Sequence, residues 1–188
     1  AHPNWRTSAT SPADATTCSG GICQTSVVDM LCRSLREERP AFGGGLEVSE
    51  HFYDDLGRRV RSSTTGMADT LYSYDALGQQ DMQALDVDGS GAIEPAGLDR
   101  IQGSEQRYVQ VQGDWWRQQR SFVFASAQQG SETTVSLQRS RLTGLGGGLR
   151  AESVGVDIHG NETRSYSYVD PGSQTVTQVV DSPGSDTD

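Results

Sequence analysis

The periodicity of hydrophobic and polar positions changes along the chain, and the changes divide it. Residues 1–17 are polar and show no period, so they read as an arm. Val27, Val28, Leu31 and Leu35 then recur at helical spacing, with Arg33, Arg36 and Arg39 on the outside. Ser26 supplies a cap, and Pro40 followed by Gly43 to Gly45 supplies a stop. This pattern predicts one short helix, so residues 1–44 read as a polar arm plus a Cys-containing helix. From residue 46 the period is two. Strands are predicted near 46–53, 58–64, 69–75, 79–85, 105–112, 117–126, 132–140, 149–157, 162–169 and 174–180. Turn residues separate nearly all of them: Gly57, Gly66, Gly78, Gly113, Gly130, Gly144 to Gly148, Gly160 and Pro171-Gly172. The expected class is mainly β, built of antiparallel hairpins over residues 45–188, with 86–99 as an insertion.

Within the β region one phrase is written twice. Tyr53-Asp54-Asp55-Leu56-Gly57-Arg58 is followed by Tyr74-Asp75-Ala76-Leu77-Gly78-Gln79, and a looser copy, Asp157-Ile158-His159-Gly160-Asn161, leads into Tyr166 and Tyr168. Repetition at about twenty residues marks an architecture stacked from one small unit. D-x-x-G is turn chemistry: the carboxylate accepts from main-chain amides ahead of it, and glycine takes the left-handed position. The unit therefore reads strand, turn, strand.

The stretches YDDLGRRV and YSYDALGQQ resemble the core motif of Rhs/YD-repeat proteins, bacterial surface and secreted polypeptides also related to animal teneurins. The segment from GDWWRQQRSFVF to the C-terminus is similar to the interior of such chains, so the resemblance covers roughly residues 45–188. It implies antiparallel hairpins wound in a spiral or shell. Members are usually far longer than this chain. No counterpart of their C-terminal self-cleavage region or toxin domain is present in the sequence, so neither activity is carried over.

A chain of 188 residues can bury a sizeable core, yet only 34% of it is hydrophobic and 22 residues are glycine, which suits many short strands. The net charge is −10 and every one of the fifteen basic residues is Arg. That balance argues against nucleic acid, whose binding needs clustered positive charge. It suits an extracellular protein or a binder of divalent cations. No apolar run approaches the roughly 20 residues of a membrane-spanning helix. A chain beginning at Ala1 is expected to have lost a leader or to have been excised from a longer protein.

The sharpest chemical signal is DVDGSGAIEPAGLD. Asp86, Asp88 and Ser90 fall at positions 1, 3 and 5 of a calcium loop, Gly91 at the sixth, and Ala92 offers its carbonyl at the seventh. Position 12 is Gly97 where a bidentate Glu is usual, so Glu94 or Asp99 must complete the shell. No helix pattern precedes the loop. The expectation is calcium in a hairpin excursion rather than an EF-hand; the alternative is a polar turn without an ion.

Cys18, Cys23 and Cys32 can close one disulfide and leave one thiol over for a neighbouring chain. Pairing of Cys18 or Cys23 with Cys32 is favoured, and a zinc site finds no convincing fourth ligand. His159 falls in a turn, and His51 precedes Tyr53-Asp54 in a strand. No nucleophile elbow or phosphate loop occurs, so no enzyme activity is expected. Trp115 and Trp116 are adjacent in a strand and must face opposite sides, one indole inward and the other available to a sugar or a partner. Asn161-Glu162-Thr163 is a formal glycosylation acceptor.

The functional expectation is an extracellular or cell-surface scaffold segment of bacterial type, calcium-stabilised and non-enzymatic. Its partners would be other copies of itself, joined by strand addition or an intermolecular disulfide into a filament. The alternatives are a carbohydrate- or protein-binding surface module, or part of a shell around a toxin domain.

Overall fold

A computed structural model of the protein describes residues 6–10, 24–124, 130–143, 150–170, 172–173 and 175–182. These form thirteen strands, with no helix among the described residues: β1 (Arg6–Thr10), β2 (Gln24–Val28), β3 (Ser34–Pro40), β4 (Leu46–Tyr53), β5 (Arg59–Thr64), β6 (Asp69–Tyr74), β7 (Gln80–Asp86), β8 (Arg100–Val111), β9 (Asp114–Phe124), β10 (Glu132–Thr143), β11 (Arg150–Val156), β12 (Glu162–Asp170) and β13 (Thr175–Asp181). The chain divides into two compact units, Ala1–Arg100 and Ile101–Asp188. In each, successive strands pair antiparallel in chain order. The first is a meander from β1 to β7, the second from β8 to β13.

The ten strands expected from residue 46 onward are all present, because alternating side chains and glycine turns leave little freedom of register. The helix expected between Ser26 and Arg39 is not formed. Val27 and Val28 end β2, Leu31 sits at the tip of a turn, and Leu35 lies in β3, which pairs with both β2 and β4. β-branched Val27 and Val28 favour an extended chain. The turn that separates them from Leu35 is closed by Asp29, whose carboxylate accepts from the main-chain N–H groups of Leu31 (2.8 Å) and Arg33 (2.9 Å). Asp is a poor helix-interior residue for this reason: its side chain competes for the backbone.

Little apolar area is enclosed. The first unit buries Leu71 against Ala84, direct cross-strand partners on β6 and β7. The second buries Ile101, Trp116, Phe122 and Val154. Arginine–aromatic packing takes over much of what a core would do. Seven guanidinium groups lie 3.9–4.8 Å from ring centroids: Arg33 over Tyr53, Arg58 over Tyr74, Arg59 over Tyr72, Arg61 over Phe52, Arg120 over Phe122, Arg141 over Trp116 and Arg150 over Tyr166. Roughly one such contact per 70–80 residues is usual, so this density is a design feature of the sheet rather than incidental. Ion pairs flank them: Arg120 bridges Glu105 and Glu132, and Arg141 pairs with buried Glu152 and with Asp114.

Two turn positions separate strain from fit. Gly57 has φ +80°, and a Cβ added there would meet Arg33 Nη1 at 2.6 Å. Cys32 holds the equivalent place one repeat earlier with φ 61° and is exposed. A side chain in this region costs about 1–2 kcal/mol. Gly57→Ala is therefore expected to destabilise by at least that amount. Cys32→Gly is expected to stabilise by roughly 0.5–1 kcal/mol, the relief of strain less the added entropy of an unfolded glycine. Denaturant melts of the two variants check both signs.

Candidate functional site

The repeated turns share one hydrogen-bond pattern. At Asp54, one carboxylate oxygen accepts from the N–H groups of Leu56 (3.0 Å) and Arg58 (2.8 Å), and the other from Arg58 Nε (2.8 Å). The main chain closes beneath it: Asp54 N–H donates to Arg58 O, and Gly57 N–H to Asp54 O, each at 2.9 Å. Asp75 repeats the main-chain and carboxylate bonds to Leu77 and Gln79, and Asp157 repeats them to His159 and Asn161. Tyr53 and Tyr74 are the last residues of β4 and β6, and Gly57, Gly78 and Gly160, three places after Asp54, Asp75 and Asp157, have φ of +80°, +81° and +83°.

A fourth copy escaped the sequence reading. Asp29-Met30-Leu31-Cys32-Arg33 makes the same bonds, including Arg33 Nε to Asp29 Oδ2 at 2.6 Å. The hidden signal was D-x-L at the head and Arg at the fifth place, masked because Cys32 stands where glycine is expected. In a meander every second connection lies at the same end, so the turns at Asp29, Asp54 and Asp75 share one end of the first unit's sheet.

Consecutive copies are joined by the tyrosine. The Tyr53 hydroxyl donates to Ser34 O at 2.8 Å while its ring lies under Arg33. The Tyr74 hydroxyl donates to Arg59 O at 2.7 Å while its ring lies under Arg58. Asp29 and Asp54 each fix an arginine, and each of these arginines covers the tyrosine of the following copy. The clasp ends at Gln79, which has no guanidinium to offer.

The acidic loop occupies the opposite end, after β7. Asp86 and Asp99 are 4% and 5% exposed, and their oxygens and those of Asp88 lie within 4.8 Å of one another. Oxygens sharing one calcium at 2.3–2.6 Å can be up to about 5 Å apart, so the trio fits a single hard cation. Asp86 accepts from Ser90 N–H (3.0 Å) and Gly91 N–H (2.9 Å). Asp99 accepts from Val87 N–H (3.2 Å) and Glu94 N–H (3.0 Å), drawing both ends of the loop together. No ion pair to Asp86, Asp88 or Asp99 is present among the described residues. Each oxygen so bonded keeps a lone pair. Of the two residues expected to close a shell, Asp99 is the one whose oxygen lies beside those of Asp86 and Asp88. Exposed Glu94 stands outside the trio, folded against Gly97, where a Cβ would be 2.9 Å from Glu94 Cβ. Ser90 Oγ accepts from Ala92 N–H and donates to Ala92 O, both at 3.3 Å.

The other singled-out residues separate cleanly. Trp116 is 7% exposed and capped by Arg141 at 4.4 Å, while Trp115 is 65% exposed. His159 is exposed at a turn tip, and His51 Nδ1 lies 3.0 Å from Ser62 Oγ. Burial, with Arg59 nearby, lowers the His51 pKa below 6.5. Cys18 and Cys23 lie outside the described residues, and Cys32 is an exposed free thiol.

No protein-family model matches this chain, and no curated protein or solved structure matches it significantly.

Two outcomes follow from the turns. The main-chain bond from Arg33 to Asp29, that from Arg58 to Asp54 and the Asn161 side-chain bond to Asp157 each hold the carboxyl below its ordinary 3.8. Stability from these groups is complete above that value and drains away as pH falls past it toward the lowered folded values. Thermal melts should be insensitive to these three groups near neutrality and decline below about pH 4, with a shallower decline in Asp54→Asn. A melting temperature that stays flat to pH 2.5 would contradict this. Tyr53→Phe and Tyr74→Phe should each cost about 1 kcal/mol through the lost hydroxyl bond. A double-mutant cycle of Arg33→Ala with Tyr53→Ala reads the ring contact as coupling energy, since the hydroxyl bond goes to Ser34 O rather than to Arg33.

Proposed function

We propose that this protein is a non-enzymatic structural segment of YD-repeat type, exposed outside the cell and stiffened by calcium in the loop of Asp86, Asp88 and Asp99. The single observation that carries the reading is the iterated clasp: three turns of one geometry, joined by two tyrosines through identical bonds. Such a device adds repeats without needing a new core for each, which is what a scaffold requires. The residues quoted above resemble those of Rhs/YD-repeat chains, and the turn geometry gives that resemblance a physical content.

Calcium has a definite task in this reading. It would neutralise a carboxylate cluster that no arginine among the described residues pairs with and lock a fourteen-residue stretch, Asp86 to Asp99. Ordering contributed by a bound ion appears directly as folding free energy. Growth from segment to fibre would use strand addition at the outer strands, since an unpaired strand edge is a template for another chain.

The test is a melt of the purified chain in millimolar calcium, in magnesium and in excess chelator. Calcium at 100 times its dissociation constant should add about 2.7 kcal/mol of stability. Asp86→Asn and Asp99→Asn should abolish the increment while leaving the chelator-state melt nearly unchanged. Identical melts in calcium and chelator would remove calcium from the proposal. Native mass measurement of the calcium-loaded chain reads the assembly state at the same time.

A further inference from the structure

We infer that the second unit carries a binding site for an acidic oligosaccharide on the face of its sheet opposite Trp116. Strand register builds the site. Tyr108, Arg117, Ser140, Ser153 and Ser165 stand in one row across β8 to β12, each the direct cross-strand partner of the next. Five side chains at a strand spacing of about 4.8 Å span about 19 Å, the reach of a short oligosaccharide rather than of a single small molecule. Trp115, Ser167 and Gln178 extend the same surface, which encloses a trough of ≈630 Å³.

The lining specifies the ligand. The floor combines the hydroxyls of Ser140, Ser153 and Ser165, the last two with Oγ atoms 2.7 Å apart, with an apolar patch of Ala151 and the exposed Leu142. At one end Trp115 is 65% and Tyr108 70% exposed, so two aromatic faces stand free beside this floor. A sugar ring offers a matching pair of surfaces: an axial C–H face that packs on the electron-rich face of an indole, and hydroxyls that exchange hydrogen bonds with serine and glutamine. A peptide would instead ask for a sheet edge or a row of apolar pockets.

Arg117 supplies the sign of the charge. Among the described residues of this unit it is the one arginine without an ion pair, side-chain hydrogen bond or ring contact; Arg107, Arg120, Arg139, Arg141, Arg150 and Arg164 are all engaged. Glu152 borders the trough, but its buried carboxylate is on the other face and is taken by Arg141. An exposed guanidinium two residues from the free indole therefore has a carboxylate of the ligand as its complement, held as a bidentate pair.

The experiment titrates the whole chain with tetragalacturonate and with its methyl ester, by calorimetry and tryptophan fluorescence, in 0.15 M salt. At that ionic strength the repulsion of a chain of net charge −10 is screened beyond about 8 Å. The acid form is expected to bind at least tenfold more tightly than the ester. Trp115→Ala should weaken both by tenfold or more, and Arg117→Gln should abolish the preference while retaining the ester's affinity. Both side chains are exposed, so unchanged melting temperatures certify that the variants fold. Absence of binding by tetragalacturonate, equal binding of acid and ester, or binding indifferent to Trp115→Ala would each overturn the inference.

Discussion

The first unit depends on what one aspartate does at each of three turns, those of Asp29, Asp54 and Asp75. A single carboxylate satisfies two main-chain N–H groups and, at Asp29 and Asp54, holds a guanidinium in a fixed plane. That plane is then the surface on which the next tyrosine ring packs. The tyrosine in turn satisfies a main-chain carbonyl at the start of the neighbouring strand. Turn, ion pair, ring contact and hydrogen bond form a closed circuit in which no member is left with an unmet polar group. A sheet with few buried apolar residues has no large hydrophobic term to fall back on, so these local circuits carry register as well as stability.

The exclusive use of arginine acquires a meaning in this setting. Composition alone offered no physical reason for fifteen Arg and no Lys. Seven of them among the described residues lie over aromatic rings, and several also pair with carboxylates, as Arg33 does with Asp29 and Arg141 with Glu152. A planar group can stack and bond in plane at once; an ammonium offers only a point charge. Substituting lysine would keep the net charge and lose the architecture.

Much of this fold was legible in the residues, and the exceptions share a cause. The strands from Leu46 onward announced themselves because alternation and glycine coincide. The strands at Gln24–Val28 and Ser34–Pro40 did not, since Val27, Val28, Leu31 and Leu35 imitate a helical stripe and Cys32 removes the glycine that would have betrayed the turn. Local periodicity yields there to a five-residue hydrogen-bond motif. In the acidic loop the spacing pointed to Asp86 and Asp88 but left Glu94 and Asp99 as rivals. The folded chain brings Asp99 beside Asp86 and Asp88, while Glu94 lies against Gly97, a difference that spacing alone does not carry. The row from Tyr108 to Ser165 could not be read at all, for it exists only in the register between strands.

The clasp also has a direction. Tyr53 leans on Arg33 and Tyr74 on Arg58, always toward the copy already passed along the chain. Each new copy is completed by an older one and asks nothing of its successor. Such a ribbon can be lengthened or trimmed at its trailing end without disturbing what lies before, whereas loss of a leading copy strands an aromatic ring. Growth during synthesis runs the same way, so Tyr53 and Tyr74 each emerge from the ribosome after the arginine that anchors them.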